Sequence, residues 1–303
     1  MIHQEFYDKL KAIVSEDEIL KNEPMSKHTT FRIGGNADIF LSPEVSQVSE
    51  IMALAKAYDV PVTVIGNGSN LLVGDKGIRG LVLSFGKEAE SIQMDGRCMT
   101  VTAGTILAKA AAEAAKNSLT GLEFAAGIPG SLGGAIVMNA GSYGGEMKDV
   151  VVSAKVLTPE GEIKELSKDE LDLSYRHSCI PEKGYIVLEA ILELSHGEES
   201  EIREKMADFK NRRVEKQPLE YPSAGSTFKR PEGYFAGKLI QDANLRGYQV
   251  GGAQVSEKHC GFVINKGNAT AADVLQLIQD VKRVVYDTFQ VELEPEVKMI
   301  GEF

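Results

Sequence analysis

Along the N-terminal third, the chain alternates short apolar runs with apolar positions at helical spacing. Asp38-Ile-Phe-Leu41 reads as a strand, after which Ser42-Pro43 caps and opens a helix predicted to run to about residue 58. Val45, Val48, Ile51, Met52 and Ala55 supply the stripe that helix would bury. Val62–Ile65 reads as a short buried strand, residues 80–84, 92–95 and 99–103 as further strands, and 106–116 as an Ala-rich helix. Extended runs return at 150–157, 163–166 and 185–194. Residues 196–201 are a polar interruption, predicted to end a first domain of residues 1–197 with two lobes, about 1–85 and 86–197. In residues 198–303, Ile202, Met206, Phe209 and Arg213 or Val214 mark an amphipathic helix. A late helix begins at Thr270, which with Asp273 makes a capping box, and it carries Val274, Leu277, Ile278, Val281 and Val285 on one face. The pattern predicts an α+β protein with a larger N-terminal domain and a smaller C-terminal one.

One stretch departs from both periods. Gly127-Ile-Pro-Gly-Ser-Leu-Gly-Gly-Ala-Ile-Val-Met-Asn-Ala-Gly-Ser-Tyr-Gly-Gly145 is rich in glycine, yet apolar and uncharged. Flexible linkers are polar, whereas Leu132, Ile136, Val137 and Met138 favour burial. Glycine in such a context marks backbone that passes very close to something or takes positive φ. Two readings follow: main-chain N–H groups cradling a phosphate or flat cofactor, or a twisted loop packed tightly under a sheet. A second small-residue turn, Gly66-Asn-Gly-Ser-Asn70, follows the Val62–Ile65 strand. Its third glycine position in the dinucleotide fingerprint holds Leu71, and no amphipathic helix follows, so a Rossmann unit is not expected.

Composition narrows the partners. Formal net charge is −11, from 33 Lys and Arg against 44 Asp and Glu, which argues against nucleic acid. Basic residues gather locally at Lys210, Arg212, Arg213 and Lys216, and again at Lys229 and Arg230, where a solvated face is the ordinary explanation. No apolar run has membrane-spanning length, the opening residues lack the pattern of a signal peptide, and the three scattered cysteines suggest neither disulfide scaffold nor zinc site. A reduced, cytoplasmic protein without metal or membrane insertion is expected.

Taken together, Thr30-Phe-Arg-Ile-Gly-Gly35, Gly66-Asn-Gly-Ser-Asn-Leu71, Gly127-Ile-Pro-Gly-Ser-Leu-Gly-Gly134 and Asn139-Ala-Gly-Ser-Tyr-Gly144 resemble the FAD-binding half of bacterial UDP-N-acetylenolpyruvoylglucosamine reductases. The resemblance continues in order through Tyr175-Arg-His-Ser178, Gly225-Ser-Thr-Phe-Lys229, Gly251-Gly-Ala-Gln254, residues 259–265 and Leu293-Glu-Pro-Glu-Val297. It implies a bipartite FAD-binding domain of the vanillyl-alcohol-oxidase type plus a substrate-binding domain. It also implies non-covalent FAD, NADPH as co-substrate and a UDP-sugar substrate handled by a monomer. Lacking the insertion whose tyrosine closes over the uridine, the chain resembles the family's shorter subclass.

Residue by residue, the resemblance assigns Arg176, Ser226 and Glu296 to catalysis. Arg176 would offer a fixed fork to a carboxylate, Ser226 would protonate a carbanion-like carbon, and Glu296 would assist carboxylate binding or proton delivery. Arg32, Gly66, Asn67, Gly68, Ser69, Asn70, Gly127, Ile128, Pro129, Gly130, Ser131, Gly133, Gly134, Asn139, Ala140 and Gly141 would contact the flavin nucleotide. Tyr175, Lys216 and Lys229 would contact the substrate. His177 is expected to point away from Arg176, and His259 to be a structural or site-supporting histidine rather than a base. Taken singly, each residue has a plain alternative: a salt-bridging arginine, a turn serine, an exposed strand-edge acid. At this stage a flavin oxidase of the same fold and a non-catalytic nucleotide-sugar sensor both remain open.

Overall fold

The computed structural model describes residues 4–303. The chain forms two compact units, each discontinuous in sequence. Among the described residues, the first comprises 4–21, 39–67 and 80–213, and the second 22–38, 68–79 and 214–303. The expected cut near residue 197 therefore falls inside the first unit. The division lies instead within the Glu199–Lys216 helix, and two N-terminal segments belong to the second unit.

The first unit holds two apolar cores. One gathers Phe6, Leu10, Leu41, Ile51, Ala55, Leu81 and Leu83, with the Val48–Ala57 helix presenting Ile51 and Ala55 to it and Val48 to the other core. Val45 lies ahead of that helix in a short 3₁₀ turn, and the turn is closed by Gln47, whose Oε1 accepts the Glu44 N–H at 2.9 Å. Glu44 thus takes the capping place expected of Ser42-Pro43. Val62–Ile65 pairs in parallel with Ile78–Ser84 but buries only Ile65, because it is the last strand of its sheet. The larger core lies on an antiparallel sheet of five strands in the order Ile163–Ser167, Val151–Leu157, Ile186–Glu193, Cys98–Thr102, Ile92–Asp95. The Leu107–Lys116 helix buries Leu107, Ala110, Ala111, Ala114 and Ala115 in that core. Small side chains there let the helix pack closely.

The second unit has a four-stranded antiparallel sheet, Ser223–Ser226, Phe262–Asn265, Ala253–Val255 and Gln249–Val250. The Ala271–Phe289 helix supplies much of its core through Val274, Leu277, Ile278, Val281 and Val285, all buried. Its capping box forms as expected: Thr270 Oγ1 accepts the Asp273 N–H at 3.1 Å and Asp273 Oδ2 accepts the Thr270 N–H at 3.0 Å. Phe31, Ile33 and Leu72 complete this core from the N-terminal segments. The last strand, Lys298–Ile300, lies parallel to Leu71–Val73. The C-terminus thus returns to sequence from the expected first lobe, but inside the second unit.

Candidate active site

The 127–145 run folds as a 3₁₀ turn ending at Gly127, a short helix Leu132–Met138, and a hairpin of Gly141–Ser142 with Gly145–Glu146. Leu132 and Ile136 are buried, whereas Val137 and Met138 are half-buried, because a helix this short turns one face outward. Several of its glycines are required by neighbouring protein atoms. A Cβ at Gly127 would meet Arg213 Nε at 2.8 Å, one at Gly133 would meet the Ala103 Cβ at 3.0 Å, and one at Gly145 would meet the Phe124 ring at 2.7 Å. Tyr143 and Gly144 turn the hairpin with φ of 53° and 88°, two consecutive left-handed residues as in a type I′ turn. Tight packing therefore accounts for much of what first reads as a cofactor cradle.

The Gly66 turn lies against this run through polar atoms. Asn67 Nδ2 donates to the Pro129 carbonyl at 2.6 Å, and Gly66 has no room for a Cβ against Ser131 Oγ. The place where that Cβ would stand is also 3.8 Å from the Gly134 nitrogen. Ser131 precedes the Leu132–Met138 helix, yet its buried hydroxyl has no hydrogen-bond partner among the described residues. The N–H groups of Leu132 and Gly133 are spent on the carbonyls of Thr105 and Ala103, at 2.8 and 2.9 Å. An orphaned hydroxyl at a helix start, a missing Cβ, and no acidic residue from 66 to 70 or from 127 to 141 fit the phosphates of FAD. Ile128 and Gly130 are half-buried and Pro129 exposed along this edge.

Asn139 serves the protein itself. Fully buried with φ of 41°, it ends the short helix. Its Nδ2 donates to Glu146 Oε2 at 2.8 Å and to the Ser174 carbonyl at 2.9 Å, while its Oδ1 accepts the Lys148 N–H at 2.8 Å. Ala140 likewise spends both main-chain groups internally, on Ala135 and Met147. Ser174 opens a two-residue turn closed by mutual main-chain bonds with His177, and Tyr175 and Arg176 form its tip. Arg176 takes φ of 55°, a costly setting for a side chain with a Cβ. Its guanidinium lies 5.2 Å from the centroid of the exposed Tyr175 ring. His177 turns to Asp172 and Glu182, at 3.3 and 3.8 Å.

In the second unit, two segments run side by side. The Glu296 N–H donates to the Thr227 carbonyl at 2.8 Å, the Lys229 N–H donates to the Glu294 carbonyl at 2.8 Å, and Phe228 bridges Pro295. Half-buried Ser226 and Glu296 are thereby held on adjoining backbone. Asn70 fixes the same segment: its Nδ2 donates to the Glu296 carbonyl at 3.2 Å, and its own carbonyl accepts the Lys298 N–H at 2.9 Å. Thr30 Oγ1 donates to the Ser223 carbonyl at 2.7 Å, bracing the Ser226 strand. Gly68 passes too close to the His28 carbonyl for any side chain, and half-buried Ser69 follows it. Arg32 takes φ of 54°, which turns it to the exterior between buried Phe31 and Ile33.

Two expected substrate contacts fare differently. Lys229 Nζ pairs with Glu294 at 2.5 Å, whereas Lys216 is exposed at the end of its helix. His259 is structural: its Nδ1 accepts the Gly261 N–H at 3.1 Å, and burial pushes its pKa down. Among the described residues no His, Cys, Asp and Glu cluster could hold a metal, and no helix is long and apolar enough to cross a membrane. Arg213 departs from what its charge implies. Grouped by charge with a solvated basic face, it instead packs on Gly127, and the signal was its place in the 202, 206, 209 stripe.

Comparison with known proteins agrees in both units. Residues 39–167 match the family model described as FAD binding domain, and residues 217–300 match the UDP-N-acetylenolpyruvoylglucosamine reductase C-terminal domain. A UDP-N-acetylenolpyruvoylglucosamine reductase of Agathobacter rectalis is 61% identical, covering 100% of each chain, and one of Lachnoclostridium phytofermentans is 56% identical, covering 97% of this chain and 96% of its own. The crystal structure of the enzyme from Thermus caldophilus, 35% identical, superposes with a TM-score of 0.80 over 92% of this chain and 97% of that one. An alkyldihydroxyacetonephosphate synthase, 19% identical with a TM-score of 0.50 over 64% of this chain and 40% of that one, shares the fold alone. With full-length relatives and both domain models in order, the chain belongs to the UDP-N-acetylenolpyruvoylglucosamine reductase family and is a FAD-containing oxidoreductase.

Proposed function

We propose that the protein reduces the enolpyruvyl ether of UDP-N-acetylglucosamine enolpyruvate to the lactyl ether of UDP-N-acetylmuramate. NADPH is the hydride source, and the product is a peptidoglycan precursor. In this reading the enzyme works as a cytoplasmic monomer. The observation that carries it is the pairing of the Ser226 and Glu296 segments through the Thr227 carbonyl, with Asn70 pinning Glu296 from its other side.

The reaction adds hydride to one carbon of the double bond and a proton to the next, and negative charge builds on the adjoining carboxylate between the two events. A bound flavin would supply the hydride chemistry, accepting hydride from NADPH and passing it to the substrate. Arg176 meets the developing charge with a bidentate fork, and the Asn139-anchored turn keeps that fork from wandering. Ser226 delivers the proton, and placement matters more than acidity for so weak an acid. Glu296 orients the carboxylate end or relays the proton. Gly66, Ser131 and Gly134 would hold the FAD diphosphate.

An anaerobic absorption spectrum tests this reading. NADPH is expected to bleach the flavin bands, and UDP-N-acetylglucosamine enolpyruvate to restore them. Bleaching without recovery would refute the proposed substrate.

A further inference from the structure

Arg213 is a cation without a carboxylate counter-ion among the described residues. On the same helix Arg203 pairs with Glu199 and Arg212 with Asp208, each within 2.7 Å, as expected of a solvated basic face. Arg213 has no carboxylate within ion-pair distance among the described residues. One Nη reaches Ser142 Oγ at 3.5 Å, and the Ser142 hydroxyl already donates to the Phe124 carbonyl at 2.8 Å. Its Nε is buried without a hydrogen-bond partner, against the face of Gly127. Burial pushes the guanidinium pKa down. The Tyr143 ring, stacked on Phe209 at 4.6 Å and 13°, lies 5.8 Å from the guanidinium carbon and stays partly exposed.

A half-desolvated charge that meets hydroxyls and no carboxylate among the described residues is costly, and the chain carries 44 acidic residues that could have supplied one. Gly127 makes room for this side chain, so the glycine run and the arginine form one arrangement. A buried Nε–H without an acceptor among the described residues, beside an exposed aromatic face, suits a nucleotide phosphate. We propose that Arg213 is the counter-charge for a phosphate of a nucleotide diphosphate, seated beside Gly127 and Tyr143. The diphosphate belongs either to FAD or to the UDP-sugar. The inference rests on the flavoreductase reading and extends it to a residue outside the motifs that carry the family resemblance.

The test uses the full chain with Arg213→Met, which keeps the apolar stem, and Arg213→Lys, which keeps the charge. In one arm, flavin-stripped protein is titrated with FAD and with riboflavin, which lacks phosphate. In the other, flavin-loaded protein is titrated calorimetrically with UDP. Arg213→Met is expected to weaken either FAD or UDP about ten- to a hundred-fold, the loss of one charge-assisted contact, with Arg213→Lys in between. A loss for FAD that spares riboflavin assigns the flavin diphosphate, and a loss for UDP assigns the substrate. Flavin-free melting temperature is expected to hold or rise in Arg213→Met, since an uncompensated cation is removed. Unchanged FAD and UDP affinities, an equal loss for riboflavin, or a lowered melting temperature would overturn the proposal. A failed reductase reading shows in the wild type, as bleaching without recovery, whereas a failure of this inference shows only in the variants.

Discussion

Gly145, in the first unit, and Gly225, in the second, are glycines for different reasons. At Gly145 a Cβ would stand 2.7 Å from the buried Phe124 ring, so the constraint is space. At Gly225 nothing lies within 4 Å of that position, but φ is 76°, so the constraint is conformation. The first kind of glycine locks a scaffold together. The second bends a strand, where a register shift between Ser223 and Ser226 re-aims the serine. A glycine-rich sequence is thus not one signal but two, and only the surroundings separate them.

The largest expected effect lies in the chemistry that the Gly225 bend presents. Ser226→Ala should slow substrate reduction by roughly two to four orders of magnitude while NADPH still reduces the flavin at a near-normal rate. Stopped-flow measurement of both half-reactions checks this, and equal damage to the two would remove Ser226 as proton donor. Next comes the crowded glycine. Gly145→Ala should cost about 1–3 kcal/mol of stability by overpacking, seen as a lower melting temperature, and trimming Phe124 to Leu should recover part of it. No recovery would show that space is not the reason. Gly225→Ala should cost about 1–2 kcal/mol, and Gly225→Asn less, because Asn tolerates left-handed backbone. If Asn proved as harmful as Ala, the conformational reading would fall.

The smallest effect is one of pH, at Glu123 in the first unit's core. Burial raises its carboxyl pKa, but bonds from the Thr120 hydroxyl and the Gly121 N–H, with Lys205 nearby, outweigh burial and hold it below the ordinary value. Its stabilising contribution is therefore present above the unfolded carboxylate pKa and lost as pH falls through the folded one. Glu123→Gln should flatten the fall in melting temperature below about pH 5. An unchanged acid limb would show that the carboxylate is not what the fall reports.

Local signals were legible where they were self-contained. Thr270 and Asp273 announce a helix whose apolar stripe needs no distant partner, and the structure has it. The 132–138 helix was not legible, because Gly133 and Gly134 oppose helix on propensity and only burial of Leu132 and Ile136 overrides them. Asn139 reads as a cofactor contact from its motif, yet its three bonds to Glu146, Ser174 and Lys148 depend on a fold no local pattern encodes. By charge Arg213 belongs with a solvated face, but its spacing from Ile202, Met206 and Phe209 places it on the inward face. The stripe was ambiguous between Arg213 and Val214, and the structure leaves Val214 51% exposed.

The returning C-terminal strand has a consequence for synthesis. Phe31, Ile33 and Leu72 belong to a core whose other members run to Val297, and Leu71–Val73 waits for Lys298–Ile300 as its parallel partner. Lys76 finally meets the Phe303 carbonyl at 2.6 Å. Some 220 residues separate the early strand from its partner, so at about 5–20 residues per second it stays uncovered for roughly 10–45 s while the chain is translated. This pairing forms only once Lys298–Ile300 has been made, and removing that strand would leave Leu71–Val73 as an open edge able to pair with another nascent chain.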